Sequence, residues 1–363
     1  MSRFDLPALP PSVELETKNI LRKLATAHRY LAELKGIAET IPNEKILIST
    51  LTLQEAKDSS EIENIITTHD ELYKNSLFHD YAVNPSAKEV NDYAKALQIG
   101  FERVRKDRLI TVNLLLEIHQ VLEQNDAGIR RLPGTELKND RTGETVYTPP
   151  QDYQIIVNLL SNLENFINDN AALDIDPLIK MAVIHYQFES IHPFYDGNGR
   201  AGRILNILYL VAQELMDIPV LYLSRYIIRN KGDYYRLLQS VRDEGTWETW
   251  ILYMLQGVEV TARQTIALIR EIKKLMQDYK QRIRSELPKI YSQELLNNLF
   301  RHPYTKIEYM QHDLRVSRLT ATKYLEQLTE LGLVQKQKLG RYNYYINTPL
   351  FDLFRNSDRM LPL

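Results

Sequence analysis

HPFYDGNGRAGR, residues 192–203, is the stretch on which the reading of this chain turns. Pro193 disfavours helical geometry in the residue before it, so His192 is expected at the exit of a helix. That helix carries Leu178, Met181, Ala182, His185 and Phe188 along one stripe. Asp196-Gly197-Asn198-Gly199 is a tight turn of residues that tolerate positive φ. A second helix is expected to start near Arg200, with Ile204, Leu208, Val211 and Leu215 toward a core. A glycine-rich loop that opens a helix leaves backbone N–H groups without intrahelical acceptors, and these make an anion cradle. Arg200 and Arg203, in the first turn of that helix, oppose its dipole at a cost of about 0.3–1 kcal/mol each. A bound polyphosphate would resolve this conflict. Asp196 offers a hard oxygen to a Mg2+ ion shared with phosphates. His192 has the chemistry to take a proton from an incoming hydroxyl. The lysine of a Walker loop is missing, so this is not the loop of an ordinary NTPase. His185 lies on an apolar stripe and reads as a packed core histidine, with a catalytic role as the alternative.

Working outward, the composition sets bounds. At 363 residues the chain has room for two or three folding units. A formal charge of -2 gives no global pull toward nucleic acid or an anionic membrane, so any such binding needs a local patch. There are no cysteines, which excludes disulfides and thiolate metal sites and suits a reducing, cytoplasmic setting. The first residues, MSRFDLPALPPSVELE, lack the pattern of a signal peptide, and no apolar run is long enough to span a membrane.

Helical periodicity dominates, and the fold class expected is mainly α. Leu21, Leu24, Ala25, His28, Leu31 and Leu34 recur at helical spacing up to a break at Pro42. Similar patterns run over about 86–104, 112–123, 153–168, 176–190, 200–215 and 247–283. LKNDRTGETVYTPP, 137–150, interrupts them with turn residues Asn139, Asp140 and Gly143 before Thr145-Val146-Tyr147-Thr148, which predicts a small β-hairpin. The C-terminal part reads as short helices at about 290–300 and 305–314, then a helix from an N-cap at Ser317 to Leu331, stopped by Gly332. A hairpin over 334–346 follows, which completes the order of a winged helix-turn-helix. Between 301 and 347 there are eight Lys/Arg against four Asp/Glu. Arg318, Thr320, Thr322 and Lys323 are expected on the exposed side of the third helix, with Lys336, Lys338 and Arg341 in the wing. That surplus suits DNA phosphates, and winged helices also dock proteins, so both partners stay open.

The 192–203 stretch matches the signature H-x-F-x-D/E-G-N-G-R-x-x-R of the Fic family at every fixed position, and the resemblance spans about 45–260. It implies a Fic-type helical core in which TGETVYTPP is the substrate-aligning flap. It further implies a protein adenylyltransferase that moves AMP from ATP to a Tyr, Thr or Ser hydroxyl of a target protein, itself included. In that resemblance His192 is the general base, Phe194 anchors the loop and Asp196 binds Mg2+. Gly197, Asn198 and Gly199 cradle the inner phosphates, Arg200 and Arg203 hold the outer ones, and Asn230 and Tyr234 line the adenine pocket. Residues 59–64, Ser-Ser-Glu-Ile-Glu-Asn, also resemble the family's inhibitory motif, with Ser59, Glu63 and Asn64 in register. Glu63 would then pair with Arg203 and occupy the cation that the terminal phosphate needs. The residues alone also read as a capping box, Ser60 as N-cap and Glu63 at N3. The expected domains are an N-terminal helical region over 1–105 with the inhibitory helix at about 59–70, a catalytic core over 106–260, a connecting helix over 261–285 and a winged helix domain over 286–363. The rival reading is a DNA-binding regulator whose core senses a nucleotide, and a homodimer stays open.

Overall fold

A computed structural model describes residues 6–78, 84–138, 142–169 and 175–356. The N-terminal helices are α1 (Lys18–Ala38), α2 (Glu44–Ile62), α3 (His69–Leu77), α4 (Pro85–Asp107) and α5 (Val112–Glu123). Strands β1 (Leu137–Lys138) and β2 (Thr145–Tyr147) pair antiparallel, Leu137 opposite Tyr147, as the hairpin predicted. Its turn residues Asn139 and Asp140 lie outside the described residues. Next come α6 (Tyr153–Asn168), α7 (Pro177–Ile191), α8 (Asn198–Ala212), α9 (Ser224–Arg229), α10 (Lys231–Glu244) and α11 (Trp247–Glu286). The chain continues with α12 (Gln293–Arg301), β3 (Tyr304–Thr305), α13 (Ile307–Leu314), α14 (Arg318–Glu330), β4 (Gln335–Leu339), β5 (Tyr342–Ile346) and α15 (Thr348–Arg355). β3, β5 and β4 form one antiparallel sheet in that order. The chain is mainly α, with two small antiparallel sheets among the described residues.

α7 and α8 occupy the centre, and their burial explains why their sequences are apolar nearly all round rather than on one stripe. α4, α5 and α2 pack beside α8, α6 beside α7, and α1 runs along the first half of α11. Trp250 on α11 is buried and donates its indole N–H to the Ala182 carbonyl of α7 at 2.8 Å. The far end of α11 enters the C-terminal unit, where Tyr279 donates to the Leu333 carbonyl at 2.7 Å and Arg282 to that of Leu331 at 2.7 Å. No helix among the described residues is long and apolar enough to cross a membrane.

Several expectations are corrected. α1 ends at Ala38, before Pro42, and its buried stripe is Ile20, Leu24, Ala27, Leu31, Leu34 and Ala38, which leaves Leu21 exposed. The boundaries at 105/106 and 260/261 fall inside α4 and α11: the first cuts the exposed last turn of α4, and the second cuts a buried face of α11 that continues from Val258 to Thr261 and Ala262. No separate connecting helix exists over 261–285; α11 is one helix of 40 residues. Ser60 is not an N-cap: it lies in the last turn of α2, buried, and Glu63 is that helix's C-cap. No helix runs through 59–70. Asn64 turns the chain with φ 63°, and the capping box sits one step later, with Thr68 as N-cap and Glu71 at N3 of α3. In the C-terminal unit Ser317 caps α14 as expected, accepting from the Thr320 N–H at 3.1 Å. Thr320 and Thr322 are half-buried rather than exposed.

Candidate active site

The site lies in the turn between the two central helices. His192 ends α7 with φ 50°, outside the right-handed helical geometry that Pro193 disfavours in the residue before it, and its backbone N–H still reaches the Phe188 carbonyl. Gly197 opens α8 with φ 71°, so the helix starts at Asn198, two residues before the expected Arg200. Arg200 is then the third helical residue, and Arg203 falls in the second turn. The amides of 198–200 are the first of a helix and have no intrahelical acceptor. Phe194 is buried with its ring stacked on His119 at 3.8 Å between centroids, and His119 holds the Asp196 carbonyl at 3.0 Å. The Asn198 side chain is not turned toward an anion. It braces the loop from inside, accepting from the Phe194 N–H at 2.8 Å and donating to the Phe194 carbonyl at 2.9 Å. Only its backbone is left for a cradle.

The two arginines are buried and already held. Arg203 has 2% of its side chain exposed and donates to Glu63 Oε1 (2.7 Å), Ser59 Oγ (2.7 Å) and the Ser59 carbonyl (3.0 Å). Arg200, 4% exposed, donates to Glu63 Oε2 at 2.8 Å and lies 2.9 Å from Glu123, 3.5 Å from Glu89 and 3.9 Å from Asp196. One carboxylate thus bridges both cations. It also lies against the cradle, since a Cβ on Gly199 would collide with Glu63 Oε1. Burial pushes the Arg203 pKa down, but Glu63 together with Tyr234, Glu189 and Tyr93 outweighs it, so the net shift is upward and the guanidinium stays charged. Burial holds the His192 pKa down at about 4, with Arg130 adding to the effect, so the imidazole is neutral at neutral pH. A neutral ring can accept a proton, although so low a pKa makes it a weak base until negative charge arrives beside it. The Asp196 side chain is 81% exposed beside the cradle, with one oxygen on the Gly197 N–H at 2.7 Å. Its other oxygen fits a cation shared with phosphates. Among the described residues no three His, Asp or Glu side chains gather as a fuller metal cluster.

Asn64 is tied to the start of α10, where Lys231 donates to Asn64 Oδ1 at 3.3 Å. Asn230 is half-buried at the α9–α10 junction and donates to the Tyr226 carbonyl at 2.9 Å. Tyr234 is buried, with its hydroxyl on His185 Nε2 at 2.9 Å and its ring among Trp250, Tyr253 and Tyr235. His185 is fully buried between that hydroxyl and Asn206, and burial lowers its pKa to about 3. It is the packed core histidine that its apolar stripe suggests.

Sequence reading missed Arg130. It is buried, donating to the carbonyls of His192 (2.8 Å), Ile191 (3.4 Å) and Pro150, while its backbone N–H donates to the Pro193 carbonyl at 2.9 Å. One side chain therefore ties the 192–203 loop to the end of the hairpin. Glu123 and Glu89, the other partners of Arg200, were missed as well. All three are distant in sequence from residues 192–203, and none stands in a pattern that periodicity reveals.

The Fic/DOC family N-terminal region matches residues 21–102, the Fic/DOC family region matches 109–210, and the C-terminal domain of SoFic-like protein adenylyltransferases matches 275–350. A probable protein adenylyltransferase of Aquifex aeolicus (strain VF5) is 29% identical over 182 residues, 49% of this chain and 53% of that relative. Protein adenylyltransferase fic-1 of Caenorhabditis elegans is 27% identical over 165 residues, 44% of this chain and 30% of the relative. The chain thus spans about half, or less, of the curated relatives it matches. Among solved structures, a Fic family protein from Desulfovibrio desulfuricans G20 superposes with a TM-score of 0.59 at 20% identity, covering 93% of this chain and 98% of that one. Fic-1 of Caenorhabditis elegans (residues 134–508) gives 0.54 at 19% identity, over 69% of this chain and 73% of that one.

Proposed function

Because the chain belongs to the Fic/DOC family, we propose that it is a protein adenylyltransferase, moving AMP from ATP to a Tyr, Thr or Ser hydroxyl of a target protein and of itself. The observation that carries this reading is one loop presenting a neutral His192, a helix-opening anion cradle and two buried arginines held by a removable carboxylate. The amides at 198–200 would cradle the inner phosphates. Arg200 and Arg203 would take the outer ones, and Asn230 with the neighbouring Tyr234 would bound the adenine. Asp196 would hold Mg2+, which supplies charge neutralisation on the phosphates when bound. The target oxygen attacks the α-phosphorus, the bond to the β-phosphate bridge oxygen breaks, and pyrophosphate leaves. His192 takes the hydroxyl proton as that bond forms.

Glu63 in this position is a brake. Its two oxygens claim both arginines, so triphosphate can reach its productive pose only when the carboxylate leaves. Incubation with labelled ATP tests the reading: Glu63→Gly is expected to label itself at least about tenfold faster than wild type, and His192→Ala in that background to stop labelling. Equal labelling of wild type and Glu63→Gly sinks the brake. An undiminished His192→Ala sinks the base. The same carboxylate could orient a water for removal of AMP, which mass spectrometry of modified protein incubated with wild type would reveal.

A separate activity, duplex DNA binding through the C-terminal unit read as a winged helix, rests on the exposed Arg315, Lys323, Lys336 and Lys338. Arg301 and Arg318 are spent on Asp313 (2.6 Å) and Glu308 (2.8 Å). A mobility shift that weakens with salt supports it, and no shift at low salt ends it.

A further inference from the structure

The segment that carries Glu63 is gripped on both sides by the C-terminal unit. Before it, Ser49 on α2 donates to the Arg301 carbonyl at 3.0 Å. After it, α3 lies against the small sheet. Tyr304 donates to Asp70 Oδ1 at 2.6 Å, and its ring stacks on Tyr73 with centroids 5.3 Å apart. Lys306 donates to the Leu77 carbonyl at 2.6 Å and Tyr309 to that of Ser76 at 3.3 Å. Phe78 packs on Tyr342 and Tyr344 at 5.5 and 5.8 Å. Only residues 63–68 separate α2 from α3, with the chain turned at Asn64.

We propose that the C-terminal unit is a clamp on the brake: its hold on α3 keeps Glu63 seated on Arg200 and Arg203, and loosening that hold raises AMP transfer. The inference rests on the reading of Glu63 as a brake. A six-residue tether spans at most about 20 Å when extended, and here it is turned back on itself, so a shift of α3 is felt at the end of α2. The seat is also balanced. A carboxylate at a helix C-terminus opposes the dipole of its own helix, so α2 alone does not favour it. The arginines pull Glu63 one way and phosphates compete for them, and a fixed α3 biases the outcome toward the closed arrangement. Coupling of this kind needs an element with two arrangements that both sites bias, and the segment from the last turn of α2 through α3 is that element.

The test uses the full chain with Tyr304→Phe and Lys306→Met, which remove two of the hydrogen bonds onto α3 and keep the apolar packing. Self-labelling from ATP is expected to rise about threefold to tenfold over wild type, and not to rise further when the pair is added to Glu63→Gly. No rise in the wild-type background, or a rise of the same size in both backgrounds, overturns the clamp. Backbone hydrogen exchange reads the hold without reference to activity. Faster exchange over 63–78 in the double variant supports it, and unchanged exchange overturns it. If Glu63→Gly itself transfers nothing, the transferase reading falls and exchange alone decides the clamp.

Discussion

Arg203 is buried to the last few per cent of its side chain, and a buried guanidinium needs an anion beside it. Three groups surround it: Glu63, the two acceptors of Ser59, and the carboxyl of Glu189, which is buried and has its pKa raised to about 7 by burial, with Arg203 opposing. Removing Glu63 leaves the charge on Ser59 and Glu189, whose pKa drops once Glu63 no longer raises it. Leaving a buried charge unpaired costs about 3–5 kcal/mol, and Ser59 should keep the loss toward the lower figure. Glu63→Gly is therefore expected to melt several degrees below wild type without nucleotide. ATP with Mg2+ should restore it, since a ligand at about a hundred times its Kd adds about 2.7 kcal/mol. In wild type the nucleotide must first displace the carboxylate, so its shift is smaller. Melting curves with and without ATP decide this. Equal ATP shifts in the two proteins would mean that Glu63 and the phosphates do not compete for the same cations.

At the scale of elements, α2 shows where sequence reading fails. Its buried residues include Thr50, Thr52, Gln54, Glu55, Ser59 and Ser60, since α4, α9 and α8 enclose it on several sides. Such a helix has no apolar stripe to reveal it, and its polar last turn looks like the start of a new helix. The buried groups are instead satisfied one by one: Glu55, its pKa raised to about 7 by burial against the hydrogen bonds of Ser224, accepts from Tyr93 at 3.1 Å and from Ser224. The 192–203 loop was legible for the opposite reason. Its proline, glycines and arginines act within twelve residues, so local chemistry determines their geometry. Arg130 was invisible because its role exists only once the end of the hairpin and the 192–203 loop meet around it, and His192 lies 62 residues further along the chain. It reads as a positioning residue, since its side chain donates to the carbonyls of His192, Ile191 and Pro150. Arg130→Met should leave those carbonyls unpaired at a cost of about 2–4 kcal/mol. In the Glu63→Gly background it should lower kcat for transfer about tenfold to a hundredfold through misplacement of His192. The KM for ATP should change little, because the arginines and the cradle belong to α8. A rise in KM with kcat intact would instead place Arg130 in nucleotide binding.

For the whole molecule, the buried titratable groups dictate how stability follows pH. Burial lowers His185 to about 3 and His192 and His69 to about 4, each from an ordinary value near 6.5. Burial raises Glu55 and Glu189 to about 7 from near 4.5. A histidine whose folded pKa is depressed binds its proton in the unfolded chain first. Its stabilisation is present above pH 6.5 and lost as pH falls toward 4, at about 1.4 kcal/mol per unit. A carboxyl whose folded pKa is raised works in the other direction: its contribution is whole below 4.5 and lost as pH rises through 7. Between pH 6.5 and 4.5 these three histidines oppose these two carboxyls, so their joint contribution falls with acid by roughly one histidine's worth per unit. His119 and His302, also lowered by burial, and Asp58 and Glu123, also raised by it, add two groups to each side. Below 4.5 the unfolded carboxyls also take protons, their opposition fades and the fall steepens. Above pH 6.5 the last histidine gain and the carboxyl loss nearly cancel. Urea midpoints should therefore be flat from pH 6.5 to 8 and decline toward pH 4. His185→Gln, which keeps a partner for Tyr234 and Asn206, should remove about 1.4 kcal/mol per unit from the acid slope whatever it does to stability at neutral pH. An unchanged slope in that variant would show that His185 titrates normally in the folded chain, and with it that the centre of α7 and α8 is open to protons.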